Sequence, residues 1–170
     1  MGLDMYLIRK KKDVKKEEEK VKEINWSEVD EIAYWRKANQ VHKWFVENVQ
    51  DGTDDCGYYK VTQDKLQQLV DICNEILRQV ELIDGKVLLA DYHQSKDGKS
   101  EHIKEYGIGK VIDKPEICEQ LLPTQSGFFF GGTEYDEWYY EDIRRTRDRL
   151  QAIIDLLEWN LYEVYYGSSW

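Results

Sequence analysis

Residues 34–45 read Tyr-Trp-Arg-Lys-Ala-Asn-Gln-Val-His-Lys-Trp-Phe, a stretch that mixes rings, cations and amides. On a helix, Asn39 and His42 lie three apart and share a face, and Lys43 lies four beyond Asn39. A polar row of Asn39 and His42, bordered by Trp35, is suited to hydrogen-bonding the base or ribose of a ligand. Arg36 and Lys37 stand beside it as natural partners for phosphate. The plainer reading makes His42 a boundary residue that meets a backbone carbonyl, and Arg36 and Lys37 solvated charge.

A second stretch, Leu122-Pro123-Thr124-Gln125-Ser126-Gly127-Phe128-Phe129-Phe130-Gly131-Gly132-Thr133-Glu134-Tyr135-Asp136, sets three phenylalanines between glycines. Drawn as a strand, it puts Phe128 and Phe130 on one face and Phe129 on the other. Gly131, Gly132 and Thr133 precede a helix start, where free backbone N–H groups attract anions. However, Glu134, Asp136 and Glu137 crowd that end, where they suit the helix dipole without any ligand. The amide and hydroxyl groups of Thr124, Gln125 and Ser126 are therefore the better ligand contacts. Aromatic residues recur farther on, as Tyr135, Trp138, Tyr139 and Tyr140, then Tyr162, Tyr165, Tyr166 and Trp170. Such rings stack on bases at roughly 1–3 kcal/mol each, and they serve a core or a subunit interface equally well.

Nothing in the spacing spells catalysis. His42, His93 and His102 have no metalloprotease spacing, and with Cys56 they make only a weak metal set. No serine sits in a nucleophile elbow. A Cys56–His42 pair would require the fold to bring the two together. The sequence thus points to a binder with no catalytic residue, no metal and no cofactor. Its expected ligand-binding set is Trp35, Arg36, Asn39, His42, Gln125, Ser126, Phe129, Tyr135 and Tyr139.

These residues need elements to hold them. Residues 3–9 read as a first strand. Residues 30–36 alternate as a strand does, although Ser27 with Asp30 resembles a helix-start pair. Over 37–49 the period is helical, and Gly52 suits the left-handed turn that follows. Thr62 caps a second helix with a clean apolar stripe of Leu66, Leu69, Val70, Cys73, Ile76 and Leu77. Residues 85–112, with several glycines and the turn Lys96-Asp97-Gly98-Lys99, read as loops with one or two short strands. Pro115 opens a short helix over 116–121. A long helix begins near Asp136, and residues 161–166 form a last strand. The expectation is an α+β domain over 1–170: a small antiparallel sheet with strands near both termini, packed by three main amphipathic helices. A charged loop or hairpin extends around 10–24.

Composition narrows the partners. The chain of 170 residues carries a net charge of −10. Residues 1–25 hold eight basic and six acidic residues, so the rest is near −12. Such a surface repels duplex DNA, whose binding depends on neutralised phosphates. No run of apolar residues is long enough to span a membrane. Three cysteines, odd in number and without paired spacing, fit a reducing cytoplasm better than a disulfide framework.

Several of these segments together resemble a known family. Met1-Gly2-Leu3-Asp4-Met5-Tyr6, then Tyr34-Trp35-Arg36-Lys37-Ala38-Asn39 with His42 and Trp44-Phe45, then 122–131, then Tyr135-Asp136-Glu137 and the Ser168-Ser169-Trp170 end are similar to small proteins of bacteriophages and prophages. That resemblance implies a context, the cytoplasm of a host cell, and a role in countering host defence. A protein that sequesters a small nucleotide-like immune signal needs a tight pocket and no catalytic group. The alternatives are an inhibitor that binds a host defence protein through an acidic and aromatic surface, and a nucleotide-processing enzyme. A homo-oligomer with a shared pocket is a further expectation.

Overall fold

The computed structural model describes residues 2–13 and 20–170, and it is an α+β structure. Among the described residues, seven strands and four helices follow in the order β1 (Asp4–Lys11), β2 (Lys20–Val21), β3 (Val29–Arg36), α1 (Asn39–Asn48), β4 (Tyr58–Val61), α2 (Gln63–Gln79), β5 (Leu82–Lys96), β6 (Lys99–Ile112), α3 (Pro115–Leu121), α4 (Glu137–Leu156) and β7 (Tyr162–Ser169). Five strands form an antiparallel sheet in the order β2-β4-β7-β1-β3. The first and last strands therefore lie side by side, and β3 is an edge. Residues 30–36 are strand, since their alternation buries Ala33 and Trp35 and leaves Tyr34 and Arg36 outward.

Leu3, Met5 and Leu7 of the N-terminal segment are fully buried; Met5 pairs with Trp35, and Leu7 with Ala33 on one side and Tyr166 on the other. They join the core that α1, α2 and α4 close over the sheet. On the opposite face Tyr34, Tyr6, Trp26 and Tyr58 make a row of ring contacts at 5.5–6.2 Å between centroids. Gly167 makes room for this row, because a Cβ there would lie 2.5 Å from the Tyr58 ring.

Helix ends follow local rules. Thr62 Oγ1 accepts from Lys65 N at 3.3 Å to cap α2. Asp136 accepts from the N–H groups of Trp138 and Tyr139, at 3.0 and 3.2 Å, to cap α4. Asp51 and Gly52 both take positive φ after α1. Pro115 stands in the first turn of α3. The charged 10–24 region contributes the end of β1 and all of β2, and its residues 14–19 lie outside the described residues.

The expectation for 85–112 is corrected. Instead of loops with short strands, β5 and β6 form one long two-stranded hairpin, paired from Leu82↔Ile112 to Lys96↔Lys99. Its turn residues Asp97 and Gly98 both have positive φ, which matches strand twist in a two-residue turn. Glycine is the reason for the misreading. Gly85, Gly107 and Gly109 act as strand residues whose missing side chains leave space for Val111, Leu89 and Val87. The Phe-rich stretch is a turn: residues 128–130 curl so that Phe130 is buried and Phe128 exposed.

Candidate functional site

Strand β3 and helix α4 enter the same region from distant parts of the chain. Asp136 fixes the first turn of α4, and Tyr139, Ile143, Thr146, Leu150 and Ile153 form its inward stripe. That stripe leaves a neighbouring one free. Trp138, Asp142, Arg145 and Arg149 stand at i, i+4, i+7 and i+11, which is one face of a helix extending about 16 Å. Alongside them runs the edge of β3, whose Trp35 faces α4 while the side chains of Tyr34 and Arg36 lie on the other face of the sheet.

Between the two run adjoining cavities of ≈ 560 and ≈ 430 Å³. The larger is walled by Tyr34, Trp35, Arg149 and Asp148 among others, and the smaller by Lys37, Gln40, Thr124, Gly131, Gly132, Trp138 and Tyr139. Both include Arg36, Asp142 and Arg145, so these three form the waist of one groove. Arg36 is held in place by Asp4, which accepts from its Nη1 at 2.8 Å and from the Tyr34 hydroxyl. Arg145 and Arg149 have no ion-pair partner within 4 Å among the described residues. Trp138 presents 79% of its surface to solvent. Lys37, at the corner between β3 and α1, is held at φ 60, a strained conformation for a side-chain-bearing residue.

Asp142 is the chemically unusual member. Its carboxyl is pushed up to about 6 chiefly by burial. The hydrogen bond from Gln40 Nε2, at 3.3 Å, and the nearby Arg145 oppose this, while Asp136 and Glu141 add to it.

The residues expected from sequence divide into groups. Trp35, Arg36 and Tyr139 line the cavities. Trp35 is 6% exposed and its indole donates to Thr146 Oγ1 at 2.9 Å; the Tyr139 hydroxyl donates to the Leu122 carbonyl at 2.8 Å. Asn39 is buried, and its amide is fully used. Nδ2 donates to the carbonyls of Phe130 (3.0 Å) and Gly132 (2.8 Å), while Oδ1 accepts from Gln125 N at 2.9 Å. It clamps the glycine-rich loop that walls the smaller cavity. Tyr135 braces the same loop, its hydroxyl accepting from Thr124 N at 3.2 Å. The side chains of Gln125 and Ser126 are exposed and do not line either cavity. Phe129 packs against the core and its carbonyl accepts from Leu3 N at 3.0 Å.

His42 is fully buried and faces away from the groove. Its Nδ1 lies 2.7 Å from the Tyr166 hydroxyl and its Nε2 3.0 Å from Asp54 Oδ2. A carboxylate only accepts, so Nε2–H donates to Asp54, and Nδ1 is hydrogen-bonded to the Tyr166 hydroxyl. Trp170 Nε1 also donates to Asp54, at 3.2 Å. Both ring nitrogens are thus taken, and none is left to activate Cys56, whose thiol is pushed up by burial. Among the described residues, no three of His, Cys, Asp and Glu gather in a metal-holding group.

The clamp can be checked directly. Asn39→Ala removes three bonds to backbone and leaves two carbonyls and one N–H unmatched, so stability should fall by about 2–3 kcal/mol. Urea denaturation measures it. A loss below about 0.5 kcal/mol would mean that the loop holds itself.

Two expected residues, Asn39 and His42, therefore do meet the phenylalanine-glycine stretch, through the Asn39 clamp and an edge-on contact of His42 with Phe130 at 5.3 Å. The meeting is a packed wall, and the open space lies on its other side. No helix among the described residues is long and apolar enough to cross a membrane. No protein-family model matches the chain, and neither a curated protein nor a solved structure does.

Proposed function

We propose that the β3–α4 groove binds a small anionic, ring-bearing ligand of nucleotide type, and that the protein holds it without transforming it. The observation that carries this reading is the waist itself. On a chain of net charge −10, the Arg145 guanidinium, with no ion pair among the described residues, stands beside the half-buried Asp142 carboxyl where both cavities meet. Guanidinium matches phosphate in shape and charge. The carboxyl of Asp142 accepts from ribose hydroxyl or base N–H groups, and the exposed ring of Trp138 offers a stacking face. Chemistry of this kind fits the phage-type context of the sequence resemblance, in which a binder withholds a nucleotide signal from its host.

Thermal unfolding in the presence of mononucleotides, dinucleotides and pyrophosphate tests the proposal. A ligand at a hundredfold excess over its dissociation constant raises stability by about 2.7 kcal/mol. The expected result is a rise in Tm with phosphate-bearing nucleotides and none with free nucleosides. An unchanged Tm across the panel would overturn it.

Asp142 gives a second expectation. Its folded-state pKa is raised from 3.8 to about 6, so the contribution it makes to stability is complete below pH 3.8 and is lost as pH rises through 6. Asp142→Asn should therefore be more stable than the parent at pH 7.5, by about 1–3 kcal/mol, with the gain gone near pH 4. The same variant should bind nucleotides with fewer acceptors and a lower preference for ribose. A variant less stable than the parent at pH 7.5 would show that the carboxylate supports the fold.

The hairpin supports a second reading. Leu89, Tyr92, Tyr106 and Ile108 are exposed along it, Ile108 at 88%, and an arm of this kind fits a protein partner. Capture experiments with and without polar substitutions at Leu89 and Ile108 separate that reading from the first.

A further inference from the structure

We propose that an extended acidic peptide with one apolar residue docks in the β3–α4 groove as a sixth strand, paired with the open edge of β3. This goes beyond the nucleotide reading, because it rests on the backbone of β3 and on the far end of the groove, which that reading does not use. Peptide and nucleotide share Arg145, so the groove holds one or the other at a time.

The edge comes first. Among the described residues β3 pairs with β1 alone, and it ends the sheet. Lys37 N donates to the Leu3 carbonyl at 2.7 Å, one place before the Asp4↔Arg36 pair. Backbone groups point to alternate sides along a strand, so those of Trp35 and Ala33 turn towards β1. The N–H and C=O groups of Tyr34 and Arg36 therefore turn outwards, into the groove. This accounts for a larger cavity that touches Tyr34, Trp35 and Arg36 in succession, although the side chains of Tyr34 and Arg36 lie on the other face of the sheet. Outward backbone groups of this kind are a template for a further strand.

The wall opposite says what the strand carries. Lys37 shares the smaller cavity with Trp138, and Tyr34 shares the larger with Arg149. Ile32 shares a third, of ≈ 240 Å³, with Arg149, Ala152 and Leu156. Falling numbers on β3 thus meet rising numbers on α4. Arg145 and Arg149, neither in an ion pair among the described residues, stand four residues apart, about 6 Å along the helix. Same-side residues of an extended chain repeat at about 6.6 Å, so two acids spaced i and i+2 meet the two arginines. The next same-side residue reaches the third cavity, where Ile32, Ala152, Ile153, Leu156 and Leu157 favour an apolar side chain. Asp142, one turn before Arg145, repels a third acid. Every neighbour in the sheet is antiparallel, and a peptide that runs antiparallel to β3 reads acid-x-acid-x-apolar.

Fluorescence anisotropy on the full chain with short labelled peptides centred on Glu-Thr-Glu-Thr-Leu tests the proposal. That peptide should bind about 10-fold more tightly than its Lys-Thr-Lys-Thr-Leu counterpart, and Arg149→Ala should weaken it about 10-fold. Residues directly opposite each other across a sheet put their side chains on the same face, so the two threonines lie opposite Tyr34 and Arg36 and donate to their carbonyls. N-methylation of either threonine should therefore weaken binding about 10-fold, and N-methylation of either glutamate should not. No binding of the glutamate peptide, equal binding of the two peptides, or indifference to threonine methylation would overturn the docked strand. The nucleotide site is judged by its own titrations, so either reading can fail while the other stands.

Discussion

His42→Ala should lower the unfolding free energy by about 3–5 kcal/mol, one of the largest effects of any single substitution in the chain. Three costs add up. The variant leaves a cavity under Phe130 and Tyr166 where an imidazole of zero exposure had packed. It strips the fully buried Tyr166 hydroxyl of its hydrogen-bond partner. It also removes the Nε2–H donor from Asp54, a carboxylate only partly open to water. Burial already holds the Tyr166 phenol well above its ordinary range, so its proton cannot be shed to relieve the loss. Tyr166→Phe should cost less, about 1–2 kcal/mol, because the stack on Phe45 at 3.9 Å survives. Urea unfolding gives both values. A His42→Ala chain as stable as the parent would mean that water replaces the imidazole. The same variant, where still folded, should keep its ligand affinity, because His42 lines neither cavity.

The second large effect is on binding. Charge-assisted bonds to phosphate are worth roughly 1.5–3 kcal/mol each. Arg145→Ala should therefore weaken nucleotide binding by one to two orders of magnitude, and Arg36→Ala by less, because its guanidinium is already paired with Asp4. Arg145→Lys should not restore it fully, since an ammonium lacks the planar fork. Arg145 has no ion pair among the described residues, so its loss should leave the Tm of the free protein within about 2 °C of the parent. Arg36→Ala also frees Asp4, and a small loss of stability should accompany it. Calorimetric titration separates affinity from fold. Unchanged affinity in both variants would move the site elsewhere.

Much of the architecture is legible in the sequence because it follows from local rules. Thr62 with the stripe from Leu66 to Leu77 specifies α2, and Asp136 specifies the start of α4. Alternation at 30–36 specifies β3. The long hairpin was hidden because both of its strands face water, so apolar alternation is weak, and its glycines imitate loop. For the site, Arg36 and Trp35 are readable as a cation and a ring on one segment. Trp138, Asp142, Arg145 and Arg149 also carry a readable signal, a polar stripe at helical spacing next to the apolar one. What the sequence does not reveal is that β3 lies alongside that stripe, which depends on tertiary packing. Asn39 and His42 look like ligand contacts because their polar groups share a helix face. Only the fold shows that those groups are consumed by the 125–132 backbone, Asp54 and Tyr166.

The most direct test watches the groove while ligand is added. In a two-dimensional NMR titration of the 15N-labelled chain with a phosphate-bearing nucleotide, the indole N–H of Trp138 and the side-chain N–H of Arg145 should shift together and saturate at one ligand per chain. The indole signals of Trp44 and Trp170, which lie outside both cavities, should stay in place. Shifts confined to the hairpin or to the Trp170 neighbourhood, with Trp138 and Arg145 unmoved, would contradict the account.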